Sequence, residues 1–372
     1  MNEVKSKKKS RLNLVLLTLN IGAVLALLLA YLATHIPPSS LGYVALFGLA
    51  YPFILAINLL FVLFWFFRKR KFLLISLAFI LLGINHLTDF FQFSFSTARQ
   101  DGHQYVKVIS YNVNLFGYYE ENKKTGRRNK IFDVLEREQA DILCFQEFYH
   151  TDRNGVFETR DTLLKFLPTK YYHEKYTHAT TGKQYFGVAL FSRYPILSKG
   201  FVPFASDPNN FCIYADVKMG SDTVRIYNAH LQSIRFKPED YALVDGNKNQ
   251  EELENGSKRI ARRLKIAFVK REEQVSRIAE SIKKCPYEII LTGDFNDTPV
   301  SYSYESLSDL LEDSFLEAGT GIGNTYIGVF PSFRIDYVLH SKGFHAIEYE
   351  TLPEKFGDHH AVCTTLEIRK DK

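Results

Sequence analysis

Ile289-Ile-Leu-Thr-Gly-Asp294-Phe-Asn296-Asp297 begins as an apolar run that a sheet can bury and stops at carboxylates and a carboxamide. Polar groups at the end of a buried strand sit on the sheet's rim, where packing gives no reason for them. The same pattern recurs along the chain. Val106-Lys-Val-Ile-Ser-Tyr111 runs into Asn112, and Asp141-Ile-Leu-Cys-Phe145 stops at Gln146-Glu147. Ile226-Tyr-Asn228-Ala stops at His230, Arg334-Ile-Asp336-Tyr carries an acid, and Gly357-Asp358-His359-His360 follows. Strands that end this way gather acids and imidazoles at one mouth, as metal-assisted hydrolysis needs. The pattern predicts an enzyme.

Between these runs the apolar period changes. Residues 129–138 carry Ile131, Val134 and Leu135 at helical spacing, and 188–192 read as a strand closed by Tyr194-Pro195. Residues 211–217 and 223–227 read as a hairpin around Gly220-Ser221. Residues 233–257 are polar with little periodicity and predict a long loop or lid. Residues 257–284 predict a helix with Ile260, Leu264, Ala267, Phe268, Val275, Ile278 and Ile282 on one face. Lys258, Arg259, Arg262, Arg263, Lys265, Lys270 and Arg271 are assigned to its other face, either solvated or in contact with phosphates. Strands alternating with helices make the class α/β.

The charge is divided unevenly. Of 46 Lys/Arg and 41 Asp/Glu, the first hundred residues hold ten and two, leaving 36 against 39 in the remainder. The net is therefore +8 before residue 101 and −3 after it, with no basic surplus of the kind a nucleic-acid enzyme usually carries. Residues 1–100 predict a membrane anchor, with transmembrane helices at about 12–33, 42–67 and 72–92, and residues 101–372 the catalytic domain. The first run is too long for a signal peptide and lacks a small-x-small site before Pro37. Basic residues precede the first run and fill Arg68-Lys-Arg-Lys71, whereas Pro37-Pro-Ser-Ser40 has none. Basic loops stay in the cytoplasm, so three crossings put the catalytic domain on the extracytoplasmic side of the cell (inner) membrane. His86 and Asp89 fall where the third run ends, at the interface. Cys144, Cys212, Cys285 and Cys363 have no paired spacing, which argues against a zinc site.

The series Asn112, Gln146-Glu147, His230, Gly293-Asp294-Phe-Asn296, Arg334-Ile-Asp336-Tyr and Asp358-His359 resembles the endonuclease/exonuclease/phosphatase superfamily. That group includes DNase I, exonuclease III-type repair nucleases, neutral sphingomyelinases and inositol polyphosphate 5-phosphatases. The resemblance runs from about Val106 to Ile368 and implies a four-layer α/β sandwich of two mixed β-sheets flanked by helices. It implies a Mg²⁺ site, with Mn²⁺ as the alternative, at Glu147 with Asn112 and Asp358. Asp294 and Asn296 would position the attacking water, His230 would bind the scissile phosphate, and His359, oriented by Asp336, would act as acid/base. Repair nucleases of the group carry Asp two residues after the first Asn, where this chain has Asn114, and Gly357 stands where Ser commonly precedes Asp-His. The expected activity is hydrolysis of a phosphoester, with a lipid headgroup first and nucleic acid second among substrates, and membrane lipids as partner of the N-terminal helices. The rival is an inactive binding or scaffold module of the same fold, which typically loses the metal carboxylate or the histidine; Glu147 and His359 are both present.

Overall fold

The computed structural model describes residues 2–369 apart from 95–96, 120–125, 154, 156, 181–182, 206, 208–209, 242–249 and 330. Two six-stranded sheets form its centre. The first has the order Phe344–Thr351, Val362–Ile368, Gln104–Asn112, Ile142–Thr151, Gln184–Ser192, Tyr171–Ala179. The second has the order Glu312–Asp313, Asp336–His340, Glu288–Asp294, Asp222–His230, Phe211–Met219, Ile196–Val202.

Each sheet holds one parallel pair, Gln104–Asn112 with Ile142–Thr151 and Asp222–His230 with Glu288–Asp294. Parallel neighbours need a crossover, supplied here by the helices Gly126–Glu138 and Gln250–Lys283. Parallel strands also end at the same edge. Asn112 therefore lies beside Gln146, and His230 beside Asp294. The strand starting at Asp336 runs antiparallel to Glu288–Asp294, which sets Asp336 opposite Asp294. The strand starting at Val362 runs antiparallel to Gln104–Asn112, so the chain just before it, with Asp358 and His359, reaches the same rim.

Packing follows from the two-residue period. Val106, Val108, Ile142 and Cys144 join Ile213, Ala215, Ile226 and Ile290 in one core, to which the long helix adds Val275, Ile278 and Ile282. Ile109, Leu143, Phe145 and Phe191 pack instead with Ile131, Val134 and Leu135 of the first crossover helix. Both faces of the first sheet are thus buried, which is why its strands read as continuous apolar runs. Helix, sheet, sheet and helix make the four layers expected.

Three differences from the sequence have physical causes. The strand at 142–151 does not stop at Glu147; it continues through Phe148 and Tyr149, with a bulge between Phe145 and Phe148. The long helix starts at Gln250 and a short helix occupies Pro238–Tyr241, so the loop expected at 233–257 is largely helical; residues 242–249 lie outside the described residues. Apart from Gly256 the first two turns of the long helix are exposed, so they carry no apolar stripe for the sequence to reveal. Gly293, which as a glycine before Asp294 reads in the sequence as permitting a tight turn, makes none. It lies in its strand at φ +148, and a Cβ there would stand 2.0 Å from the carbonyl oxygen of Ala229. Glycine is needed for the close approach.

Arg11–Leu32 and Tyr51–Arg68 are long and apolar enough to cross a membrane. Arg70–Leu82 and Ile84–Phe90 make a third such span only if counted together, because they bend by 66°. The bend falls at Gly83, where a Cβ would collide with the Tyr31 ring. The second run is shorter than expected, since the short helix Ala45–Leu49 takes up its beginning. A buried polar chain ties the three together: Trp65 Nε1 donates to Asn20 Oδ1, Asn20 Nδ2 to Ser76 Oγ, and Ser76 Oγ to Asn58 Oδ1. One end of this bundle meets the sandwich, where Val300 packs with Leu27, Ala30, Tyr51 and Leu55. All four cysteines are free, with Cys144, Cys212 and Cys363 buried.

Candidate active site

The rim predicted from the sequence exists, and all eight candidate residues come to it. Asn112 Nδ2 donates to Asp294 Oδ2 at 3.0 Å and, more weakly, to Glu147 Oε1 at 3.4 Å. Its Oδ1 accepts from the Asn114 amide, and Asn114 Nδ2 donates to Asp358 Oδ1 at 2.8 Å. Asn114 thus links Asn112 to Asp358. An aspartate at this position would set two carboxylates against each other, a role that only the departure from the family pattern could have pointed to.

Buried polar groups beneath the site hold the two sheets in register. Gln146 Nε2 donates to Asn228 Oδ1 at 2.7 Å, and Asn228 Nδ2 donates to the carbonyls of Phe145 and Ala189. Glu147 projects from the bulge with φ 49°, a conformation non-glycine residues seldom adopt. Asn296 is likewise held at φ 54°, with its amide donating to Asp294 Oδ1 and its side chain to the Leu231 carbonyl. In this arrangement the Asn296 carboxamide faces Leu231 rather than the acids.

His359 Nδ1 bonds Asp336 Oδ2 at 2.9 Å, both side chains being buried. The other ring nitrogen lies 3.8 Å from Asp294 Oδ2, and so does Nε2 of His230. Burial alone would lower the His359 pKa, but the charges of Asp336 and Asp294 overturn this and hold it up at about 10. Asp294 is raised by burial and then by the Asp336 charge, against the pull of His359, His230 and Asn112. His230 Nε2 and Asp336 Oδ1 are buried without hydrogen-bond partners. Among the described residues no Lys or Arg pairs with Glu147, Asp294, Asp336 or Asp358, so four acids share a mouth with two imidazoles. The carboxylate oxygens of this set suit a hard divalent cation. Asp294, Asp336 and His359 each place a ligand atom within 4.8 Å of the others.

Arg271 is the residue that sequence reasoning misplaced. It is buried, pairs with Asp297 at 3.1 Å, and donates to the Asn296 carbonyl. Its number was the available signal, since 271 stands three residues after Phe268 and four before Val275, in register with the apolar stripe. Other bases on that helix are neutralised locally, Arg259 by Asp240 and Lys270 by Asp207. Arg334 is also buried, donating to Asp313 Oδ2 at 2.6 Å and to the Asp89 carbonyl at 2.9 Å.

Solved structures share this architecture at low sequence identity. A family protein from Bacteroides thetaiotaomicron superposes with TM-score 0.52 at 17% identity, covering 72% of this chain and 99% of that one. A mannosyl-6-phosphatase from the same organism gives 0.51 at 17% identity, covering 70% and 99%. A protein from Leptotrichia buccalis gives 0.50 at 18%, covering 70% and 98%. No curated protein matches the chain. Residues 13–90 match a family described as a domain of unknown function. Residues 109–359 match the model of the Endonuclease/Exonuclease/phosphatase family, and the chain belongs to that family.

Proposed function

We propose that this protein is a membrane-anchored, divalent-metal-dependent phosphoester hydrolase whose catalytic domain, residues 101–372, faces away from the cytoplasm. The observation that carries the reading is the buried Asp336–His359 pair, with the second ring nitrogen of His359 aimed at Asp294. Membership of a family of nucleases and phosphatases supports the reaction class, and one structural neighbour is a mannosyl-6-phosphatase. Mg²⁺ would be held by Glu147 and Asp358, with Asn112 beside them, and would offset the charge of the phosphate. His359 is less suited to hold the ion, because a hard cation prefers oxygen to imidazole nitrogen and its Nδ1 already bonds Asp336.

Asp336 fixes the His359 ring through Nδ1, leaving the other nitrogen free for proton transfer. Asp294 Oδ2 lies 3.8 Å from Nε2 of both His230 and His359, close enough for one water to donate to the carboxylate within reach of both imidazoles. Water attacks phosphorus as the P–O ester bond breaks, Asp294 or His359 takes the water's proton, and the leaving ester oxygen takes a proton from the His359 imidazolium. His230, with its unpartnered Nε2, donates to the charge developing on phosphate. Between substrates, a lipid headgroup is favoured over nucleic acid by the helices of membrane-crossing length and by the −3 balance after residue 100. The test is hydrolysis of bis-(p-nitrophenyl) phosphate by the full chain in detergent, with Mg²⁺ or EDTA, beside His359→Ala. Turnover that EDTA does not abolish removes the metal from the reading. Turnover that survives His359→Ala removes the dyad.

A further inference from the structure

Residues 318–333 contain no Asp, Glu, Lys or Arg, in a chain where 23% of residues are charged. Both ends of this segment are fastened where the apolar helices stop. Thr320 and Gly321 pair with Phe93 and Gln92, two residues beyond the helix Ile84–Phe90. At the other end the Phe333 ring packs edge-on against Phe53, near the start of the helix Tyr51–Arg68. Its neighbour Arg334 donates to the Asp89 carbonyl. The middle is fastened to the catalytic rim instead. Tyr326 packs edge-on against the His359 ring with centroids 5.4 Å apart, and the Ile327 amide donates to the Asp358 carbonyl at 2.8 Å.

Apolar side chains along this path stay exposed: Ile322 is 50% exposed, Val329 67%, Phe53 52% and Phe93 76%. A surface loop is ordinarily polar, and a contiguous exposed apolar surface marks a binding face. Its occupant is indicated by what it continues. The path begins beyond the short apolar helix Ile84–Phe90 and ends on Tyr51–Arg68, which is of membrane-crossing length, at the end of the bundle that meets the sandwich, where an aromatic and apolar fringe is expected to sit among headgroups.

We propose that residues 320–329 and 331–333 rest in the interfacial layer of the bilayer and that the substrate is a membrane phospholipid, whose headgroup phosphoester passes along this segment to His359. The substrate half of the proposal rests on the phosphoesterase reading above; the bilayer contact does not. In this arrangement the acyl chains remain in the leaflet beside Phe53 and Phe93. The phosphate travels only the span between Phe333 and Tyr326.

Two measurements on the full chain test it. Val329→Trp is reconstituted into vesicles of phosphatidylcholine and of its brominated counterpart, with the wild type, which has only Trp65, as baseline. The added indole is expected to show blue-shifted emission and bromine quenching beyond the baseline. Emission unchanged by bromine overturns the bilayer contact and leaves the surface to a protein partner. Val329→Asp is then assayed on phosphatidylcholine, phosphatidylglycerol and sphingomyelin vesicles and on soluble bis-(p-nitrophenyl) phosphate. A loss of about tenfold on the lipids, with the soluble diester within about twofold of wild type, is expected for a charge forced into the interface. Equal loss on all substrates, or none, overturns the lipid path. Wild-type protein inactive on every phosphoester overturns the substrate half together with the phosphoesterase reading, while the quenching result still decides the contact.

Discussion

Replacing Arg334 by Met should cost the fold about 3 kcal/mol, at the lower end of what breaking a buried ion pair costs. The guanidinium and its partner Asp313 are each 1% exposed, and Nη1 donates to the carboxylate at 2.6 Å. It also lies over the rings of Phe315 and Tyr337, at 4.4 and 4.7 Å. Methionine fills much of the same volume, so the cost is chiefly the stranded charge of Asp313 rather than a cavity. That carboxylate keeps two donors, Tyr304 Oη at 2.7 Å and the Phe315 amide at 2.9 Å, which is why the lower end applies. A thermal melt of the full chain in detergent should show a midpoint lower by about 6–12 °C. The decisive comparison is Arg334→Met with Asp313→Asn, which removes the stranded charge while Tyr304 and the amide can still donate to the carboxamide oxygen. The double variant should recover at least half of the loss. A single variant within about 1 kcal/mol of wild type, or a double variant as unstable as the two singles added together, refutes the stranded-charge argument.

Asp336→Asn should lower kcat by about 10²–10⁴ with KM nearly unchanged, since it leaves the His359 ring without its anionic partner; a change in KM alone would count against a positioning role. Gly293→Ala, whose Cβ would stand 2.0 Å from the Ala229 oxygen, should cost about 3 kcal/mol or more, read as lost soluble expression or a lower melting point. Burial would raise the Glu317 pKa, but hydrogen bonds from His340, the Ala346 amide and His345 bring it down to about 2, from 4.5. A depressed carboxylate stabilises the fold above its unfolded pKa and loses that contribution as pH falls, so the loss lies between about pH 4.5 and 2. Glu317→Gln should therefore be about 2 kcal/mol less stable at pH 7 and show a flatter melting-point profile across that window. Asn114→Asp should melt lower in EDTA and gain more from added Mg²⁺ than wild type, because it sets a second carboxylate against Asp358; equal Mg²⁺ shifts in both proteins would refute a metal beside this pair.

Much of the sandwich was legible because its strands are buried on both faces and end in groups that a core would reject. The eight candidate residues stood out for a related reason, most of them being costly polar groups at or beside the end of an apolar run. What escaped notice lay where a local pattern carries no sign of its long-range partner. Glu147 reads as a strand end, but only the pairing with Ala189 and Gly187 reveals a bulge with the strand continuing beyond it. The bend at Gly83 depends on Tyr31, 52 residues earlier, and the opening turns of the long helix have no apolar face to betray them. Arg271 was visible as a charge within the apolar register, yet only the Asp297 carboxylate explains why it can be buried there.

These residues also explain why the site's strain can be sustained. Glu147 and Asn296 occupy positive φ without being glycine, a cost that persists only when the surroundings over-determine the backbone. At Glu147 the constraint comes from the ladder on either side and from the Gln146–Asn228 bond between the sheets. At Asn296 it comes from three directions: Asp294 holds the amide, Leu231 takes the side chain, and Arg271 holds the carbonyl. Arg271 is itself fixed by Asp297, whose carboxylate also accepts from the Ser303 hydroxyl and the Thr298 amide. Three residues beyond Asp297, Val300 is already packed among Leu27, Ala30, Tyr51 and Leu55. The apolar helices therefore do more than adjoin the sandwich: they close the cluster that immobilises the loop carrying Asn296. Val300→Asp, which puts a charge into that cluster, should consequently lower kcat as well as stability, whereas a bundle serving only as a tether would leave kcat of the folded fraction unchanged.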